Sequence, residues 1–127
     1  MTTEQQNPIP VPPQQAVAPP QASIEDFQKL QFRVGIIREA TAHPNADRLI
    51  VVKVDVGEGS LRQLVAGIKM SYTPEELIGK SVVVVANLKP ATLRGVESQG
   101  MILAASDANG IVLVTPERPV QVGSTVK

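Results

Sequence analysis

From Phe32 onward, apolar and polar residues alternate in short runs, the two-residue period of strands that bury one face. Phe32, Val34 and Ile36 alternate with Arg33, Gly35 and Ile37. Ile50, Val52, Val54 and Val56 alternate with Val51, Lys53 and Asp55, and Gly57-Glu58-Gly59 follows as a turn. Leu61 to Ile68 predicts a third strand. Val82 to Leu88 is a β-branched run of the fully buried kind. Met101 to Ala105 and Ile111 to Val114 flank Asp107-Ala108-Asn109-Gly110, the pattern of a hairpin.

Two stretches carry a helical pattern instead. Ile24, Phe27 and Leu30 share one helix face behind Ser23, and Asp26 takes the capping-box place usually held by Glu or Gln. That face is expected to be core or a subunit contact. Pro74 to Ile78 predicts a second short helix, with Thr73 as N-cap, Pro74 in the first turn and Gly79 as the stop. The order is three strands, a short helix, then at least two strands. A five-stranded OB barrel has that order, and so do other small barrels.

Composition changes the picture ahead of Ser23. Pro8, Pro10, Pro12, Pro13, Pro19 and Pro20 are interspersed with Gln and Ala. Such a segment has too little apolar area to offset its ordering entropy. Residues 1–22 are therefore expected to be a disordered leader, a solvated linker with polyproline II character, and residues 23–127 the folded domain. There is no cysteine, which excludes disulfides and cysteine-based metal sites. The longest apolar run, Val82 to Ala86, is far too short to cross a bilayer, and no basic stretch leads into an apolar one at the N-terminus. A cytoplasmic location is the expectation.

Twelve Lys and Arg balance twelve Asp and Glu, so the net charge is zero. Any affinity for a polyanion must come from local placement of charge. On an OB barrel the usual binding surface is the face of strands 2 and 3 with the loops joining strands 1–2 and 4–5. Here those loops are His43 to Arg48 and the long stretch Leu88 to Gly100. Arg48, Lys53, Arg62, Lys69, Lys89 and Arg94 lie on or near that surface, half of all the cations. The only aromatic residues are Phe27, Phe32 and Tyr72, and none falls in strand 2 or 3. That disfavours a general single-strand binder, which stacks bases on aromatic rings. Recognition of a folded RNA through phosphates, 2′-hydroxyls and a few polar loop groups fits better.

Catalytic and metal readings find little support. His43 is the sole histidine, with no Cys, His or carboxylate at ligand spacing, and reads as a turn or packing residue. Ser98 has Val96, not glycine, two residues before it, so it is no nucleophile elbow; hydrogen bonding or RNA contact suits it better. No phosphate-binding glycine loop of nucleotide enzymes is present. Met101 reads as either a core methionine or a surface contact. No cofactor, metal or catalytic residue is predicted.

Several segments together have a recognisable form. Phe32-Arg33-Val34-Gly35, His43-Pro44-Asn45-Ala46-Asp47-Arg48-Leu49, Val85-Ala86-Asn87-Leu88-Lys89-Pro90 and Gly95-Val96-Glu97-Ser98-Gln99-Gly100-Met101-Ile102-Leu103-Ala104 closely resemble the tRNA-binding domain family. That family includes the C-terminal domain of bacterial methionyl-tRNA synthetase, free-standing bacterial tRNA-binding proteins, and related domains of eukaryotic synthetase-associated factors. The resemblance covers about Ile24 to Lys127. It implies an all-β OB-fold core with a C-terminal β extension, and structure-dependent, largely sequence-independent binding of tRNA at its outer corner. It also implies a homodimer, built partly from segments outside the barrel, here the helix around Ile24 to Leu30 and the tail from Val112 to Val126. The RNA-binding residues it implies are Asn87, Lys89, Arg94, Ser98 and Met101, with Arg33, Lys53 and Lys69 beside them.

The leader lies outside that shared domain. Met1 opens the chain with no synthetase catalytic domain ahead of it, so the expectation is a free-standing protein or an auxiliary, beta-type subunit of methionyl-tRNA synthetase. In that role it would hold tRNA locally and catalyse nothing itself. The rival expectation is a peptide-binding module, since related barrels resemble export chaperones.

Overall fold

The computed structural model describes residues 19–127; most of the Pro/Gln-rich leader predicted above lies outside the described residues. A short helix α1 (Ile24–Gln28) comes first. Its capping box closes as the sequence predicts: Asp26 N–H donates to Ser23 Oγ at 3.0 Å, and Ser23 N–H donates to the Asp26 carboxylate at 3.1 Å. Those bonds from the Ser23 backbone and hydroxyl, with a weaker one from Lys29, hold Asp26 below the usual carboxylate range. The cap is therefore complete at neutral pH and is lost only as pH falls through that lowered value.

Strands β1 (Phe32–Ala42), β2 (Ile50–Asp55) and β3 (Leu61–Ala66) form an antiparallel meander. Helix α2 (Pro74–Leu77) then leads to β4 (Ser81–Val85), which returns alongside β1. The hairpin β5 (Ala91–Leu93) and β6 (Val96–Ser98) stands apart as its own small sheet. Strand β7 (Met101–Ile102) pairs with β4, giving the order β3-β2-β1-β4-β7. A second hairpin, β8 (Ala104–Asp107) and β9 (Gly110–Leu113), and a last strand β10 (Thr125–Val126) on β1 form the C-terminal extension. The result is a nearly closed five-stranded antiparallel barrel of the OB type, with the helix between its third and fourth strands as expected.

The core follows directly from the β2 alternation. Ile50, Val52, Val54 and Val56 are all buried, facing Ile37, Leu64, Val82, Val84 and Ile102. Leu77 of α2 plugs one end of the barrel. On β1 the inward row is Arg33, Gly35 and Ile37. A Cβ on Gly35 would lie 2.6 Å from Val54 Cγ1, so only glycine admits that close approach. Val34 faces outward and is buried by the C-terminal segment, its N–H bonded to Ser124 O at 2.9 Å.

Two expectations are corrected and a third is narrowed. The apolar run predicted to reach Leu88 ends as a strand at Val85: Ala86 N–H still donates to Gln31 O at 2.7 Å, but Gln31 N–H turns to Asn87 Oδ1 and the Ala86 carbonyl accepts from Arg62, so the ladder stops there. The long loop from Leu88 to Gly100 is largely the β5–β6 hairpin. Its two-residue turn, Arg94-Gly95, has positive φ at both residues (53° and 92°), matching the twist of a tight hairpin. Of the two alternatives for the apolar residues around α1, core is excluded: Ile24, Phe27 and Leu30 are exposed, and Phe27 stacks on Phe32 with centroids 5.6 Å apart.

Candidate nucleic-acid interface

The barrel closes between β3 and the segment after the β5–β6 turn, through side chains as much as backbone. Ser98, 3% exposed, accepts from Val65 N–H at 3.0 Å and donates to Gly100 O at 2.9 Å. Gln63 Nε2 donates to Glu97 O at 2.8 Å, and Gln99 N–H donates to Gln63 O at 2.8 Å. Arg62 bonds Glu58, the Ala86 carbonyl and, at 3.1 Å, Gln99 O. The β6 end of the hairpin is thus fixed to β3.

The hairpin tip meets the loop between β1 and β2. His43 is 5% exposed and bridges the two elements. Its Nε2 lies 2.9 Å from Leu93 O, and its Nδ1 accepts from Asn45 N–H at 2.9 Å. The acceptor role of Nδ1 assigns the ring proton to Nε2. Arg94 Nη2 adds a third tie, donating to Asn45 O at 3.2 Å. Between loop and tip is an open cleft of about 440 Å³ lined by Asn45, Ala46, Asp47, Arg48, Leu49 and Arg94. Lys69 joins the same corner, its N–H bonded to Arg48 O at 3.3 Å.

The predicted RNA contacts separate on this frame. Arg94 and Lys69 come together with Arg48 at the loop corner. Lys89 is exposed just ahead of β5, at the base of the same hairpin. Lys53 is half-buried on β2, cross-strand from Glu39 and Gln63. Met101 is 42% exposed and shares a sheet face with Val85 and Phe32, its cross-strand row. Arg33 lies at the opposite end of the barrel, where Nη1 donates to Gly123 O at 3.2 Å.

Two of the residues have internal occupations. The Asn87 amide is spent on the chain after α1, accepting from Gln31 N–H at 2.8 Å and donating to Lys29 O at 2.6 Å. Ser98 is buried with its hydroxyl bonded on both sides, so it shapes the hairpin without facing solvent. Sequence reasoning placed Arg48 on the surface but left it out of the contact set. Its signal was a cation in a turn-forming loop of Asn45 and Asp47. No cluster of three or more His, Cys, Asp or Glu suited to a metal occurs among the described residues, and no described helix is long and apolar enough to cross a membrane.

Comparison with known proteins agrees with this architecture. Residues 32–125 match the family model described as "Putative tRNA binding domain". The chain is 55% identical over 105 residues to the methionine–tRNA ligase of Thermococcus kodakarensis, a match covering 83% of this chain but 14% of that protein. It therefore spans about a seventh of the length of that relative. Among solved structures, the MetRS-related protein of Pyrococcus horikoshii superposes with a TM-score of 0.77 at 37% identity, covering 85% of this chain and 99% of that one. The chaperone CsaA of Bacillus anthracis superposes with a TM-score of 0.76 at 31% identity, covering 85% of this chain and all of the other.

Proposed function

The chain belongs to the tRNA-binding domain family, and from that premise we propose that it binds tRNA through the rim formed by the β1–β2 loop and the β5–β6 hairpin. The observation that carries this reading is the gathering of Arg48, Lys69 and Arg94 at one corner of a chain with no net charge. Lys89 extends that corner along the hairpin base. Phosphate contacts of this kind give affinity without sequence preference and make it steeply salt-dependent. In a filter-binding titration the protein is expected to bind unrelated tRNAs with similar affinity, falling as salt rises. Salt-insensitive binding, or none, would remove the reading.

The domain works without catalysis of its own. We place it in the cytoplasm, either free-standing or as an auxiliary subunit that raises the local tRNA concentration for methionyl-tRNA synthetase. The near-complete coverage of two solved chains supports a domain of this size acting alone.

A homodimer belongs to the same proposal. Ile24 and Phe27 on α1, Leu30 just after it, and Val112, Val114 and Val120 in the C-terminal extension are large apolar side chains left exposed. A second copy is the occupant that would cover them, and it would double the number of weak rim contacts on one particle. Phe27→Asp is expected to halve the mass measured by light scattering. A mass unchanged at micromolar concentration would place the subunit contact elsewhere.

Peptide binding is a second reading, favoured by the CsaA likeness and by partly exposed Phe32 and exposed Met101 on either side of buried Val85. Competition between tRNA and an unfolded polypeptide separates the two. Peptide binding that ignores saturating tRNA would favour the chaperone reading.

A further inference from the structure

The cleft at the hairpin tip contains an arrangement that simple charge attraction does not explain. Arg94 has φ +53°, at a turn position where Asn, Asp or Gly is the ordinary occupant. Strain of that sort persists where a particular side chain is needed at that point. One of its nitrogens is held by Asn45 O, and its remaining donors have no partner among the described residues. Arg48 is exposed and likewise has no side-chain partner among them. Both arginines line one cleft, and buried His43 ties its two walls together.

Asp47 lines the same cleft. A carboxylate there opposes a bare phosphate, yet neither arginine forms an ion pair with it. The cleft thus offers two forked donors and one strong acceptor that do not satisfy one another. A ligand that answers both carries a phosphate beside a hydroxyl donor, which describes a ribose-phosphate and not its deoxy counterpart. We propose that this cleft seats one ribose-phosphate unit of bound RNA, with Arg48 and Arg94 on the phosphate and Asp47 accepting from the adjacent 2′-hydroxyl. The proposal rests on the tRNA reading above and assigns its RNA selectivity to one residue.

The test compares a tRNA transcript with its all-DNA counterpart on the full chain and four variants. Arg48→Ala and Arg94→Gly are each expected to lower the log–log salt slope for tRNA by about 1. Glycine at position 94 also relieves the left-handed backbone, so that variant melts no earlier than the parent. Asp47→Ala is expected to tighten DNA more than RNA, narrowing the preference at least about threefold. Asp47→Asn, which keeps an accepting oxygen, retains the preference. Unaltered slopes in both arginine variants, or an unaltered RNA-to-DNA ratio in Asp47→Ala, overturns the seat while leaving tRNA binding intact. Failure of the parent protein to bind tRNA overturns both readings together.

Discussion

The double variant Lys89→Ala with Arg94→Ala is expected to bind tRNA at least about tenfold more weakly at low salt, with a log–log salt slope shallower by about 1.4 to 1.8. The number follows from counterion release, at roughly 0.7 to 0.9 per neutralised phosphate. Both side chains are exposed, and neither forms an ion pair among the described residues, so removing them strands no buried charge. Alanine at position 94 keeps the left-handed backbone strain that arginine already bears, so charge changes while strain does not. A control is needed because any loss of two cations makes a neutral protein anionic. Lys80→Ala with Arg118→Ala removes the same charge away from the rim, since Lys80 follows α2 and Arg118 sits in the C-terminal extension beside Glu117. The control is expected to leave the slope within about 0.3 of the parent, because exposed charges more than a Debye length apart are screened. Equal losses in both pairs would mean that net charge, not the rim, governs binding.

The residues that sequence reading handled well are those whose side chains follow a period. Ile50, Val52, Val54 and Val56 were assignable to one face by alternation alone, and each is buried. The two helix starts were legible because Ser23 and Thr73 are caps with a local, short-range chemistry: Thr73 N–H donates to Glu76 Oε2 at 2.7 Å, just as Ser23 engages Asp26. What was not legible depends on partners distant in the chain. Arg94-Gly95 lacks the Asn-Gly or Asp-Gly signature of a tight turn, so nothing in the sequence separates the hairpin it forms from a loop. Arg62 counts as a surface cation until its bonds to Glu58 and to two carbonyls of other segments are known. Asn87 and Ser98 entered the contact set by family resemblance, and the structure gives both an internal duty. A residue can be characteristic of a binding domain because it shapes the binding loop, with no ligand contact of its own.

That point is sharpest where the hairpin rejoins the barrel, and it predicts a large loss of stability from a single methyl group. Gly100 has φ +144°, and a Cβ there would lie 2.8 Å from Val85 O and 3.1 Å from Leu64 Cδ2. The first neighbour is backbone in the β4–β7 ladder, which cannot swing aside as a flexible side chain can. Gly100 also offers the carbonyl to which Ser98 Oγ donates, so displacing it disturbs the bond that holds Val65 N–H. Gly95 supplies the comparison: its φ is also positive, at 92°, but nothing lies within 4 Å of a Cβ built there. Gly95→Ala therefore carries the left-handed backbone penalty alone, about 1 kcal/mol. Gly100→Ala adds a backbone collision and a loosened closure, for a total on the order of 3 kcal/mol or more. For a domain of this size that corresponds to a fall in Tm of more than about 10 °C, against roughly 4 °C for the control. Melting curves for the two variants would decide the matter. Equal melting points would mean that the segment ahead of Met101 yields freely, and the hairpin could then not hold Arg94 at a fixed distance from the β1–β2 loop.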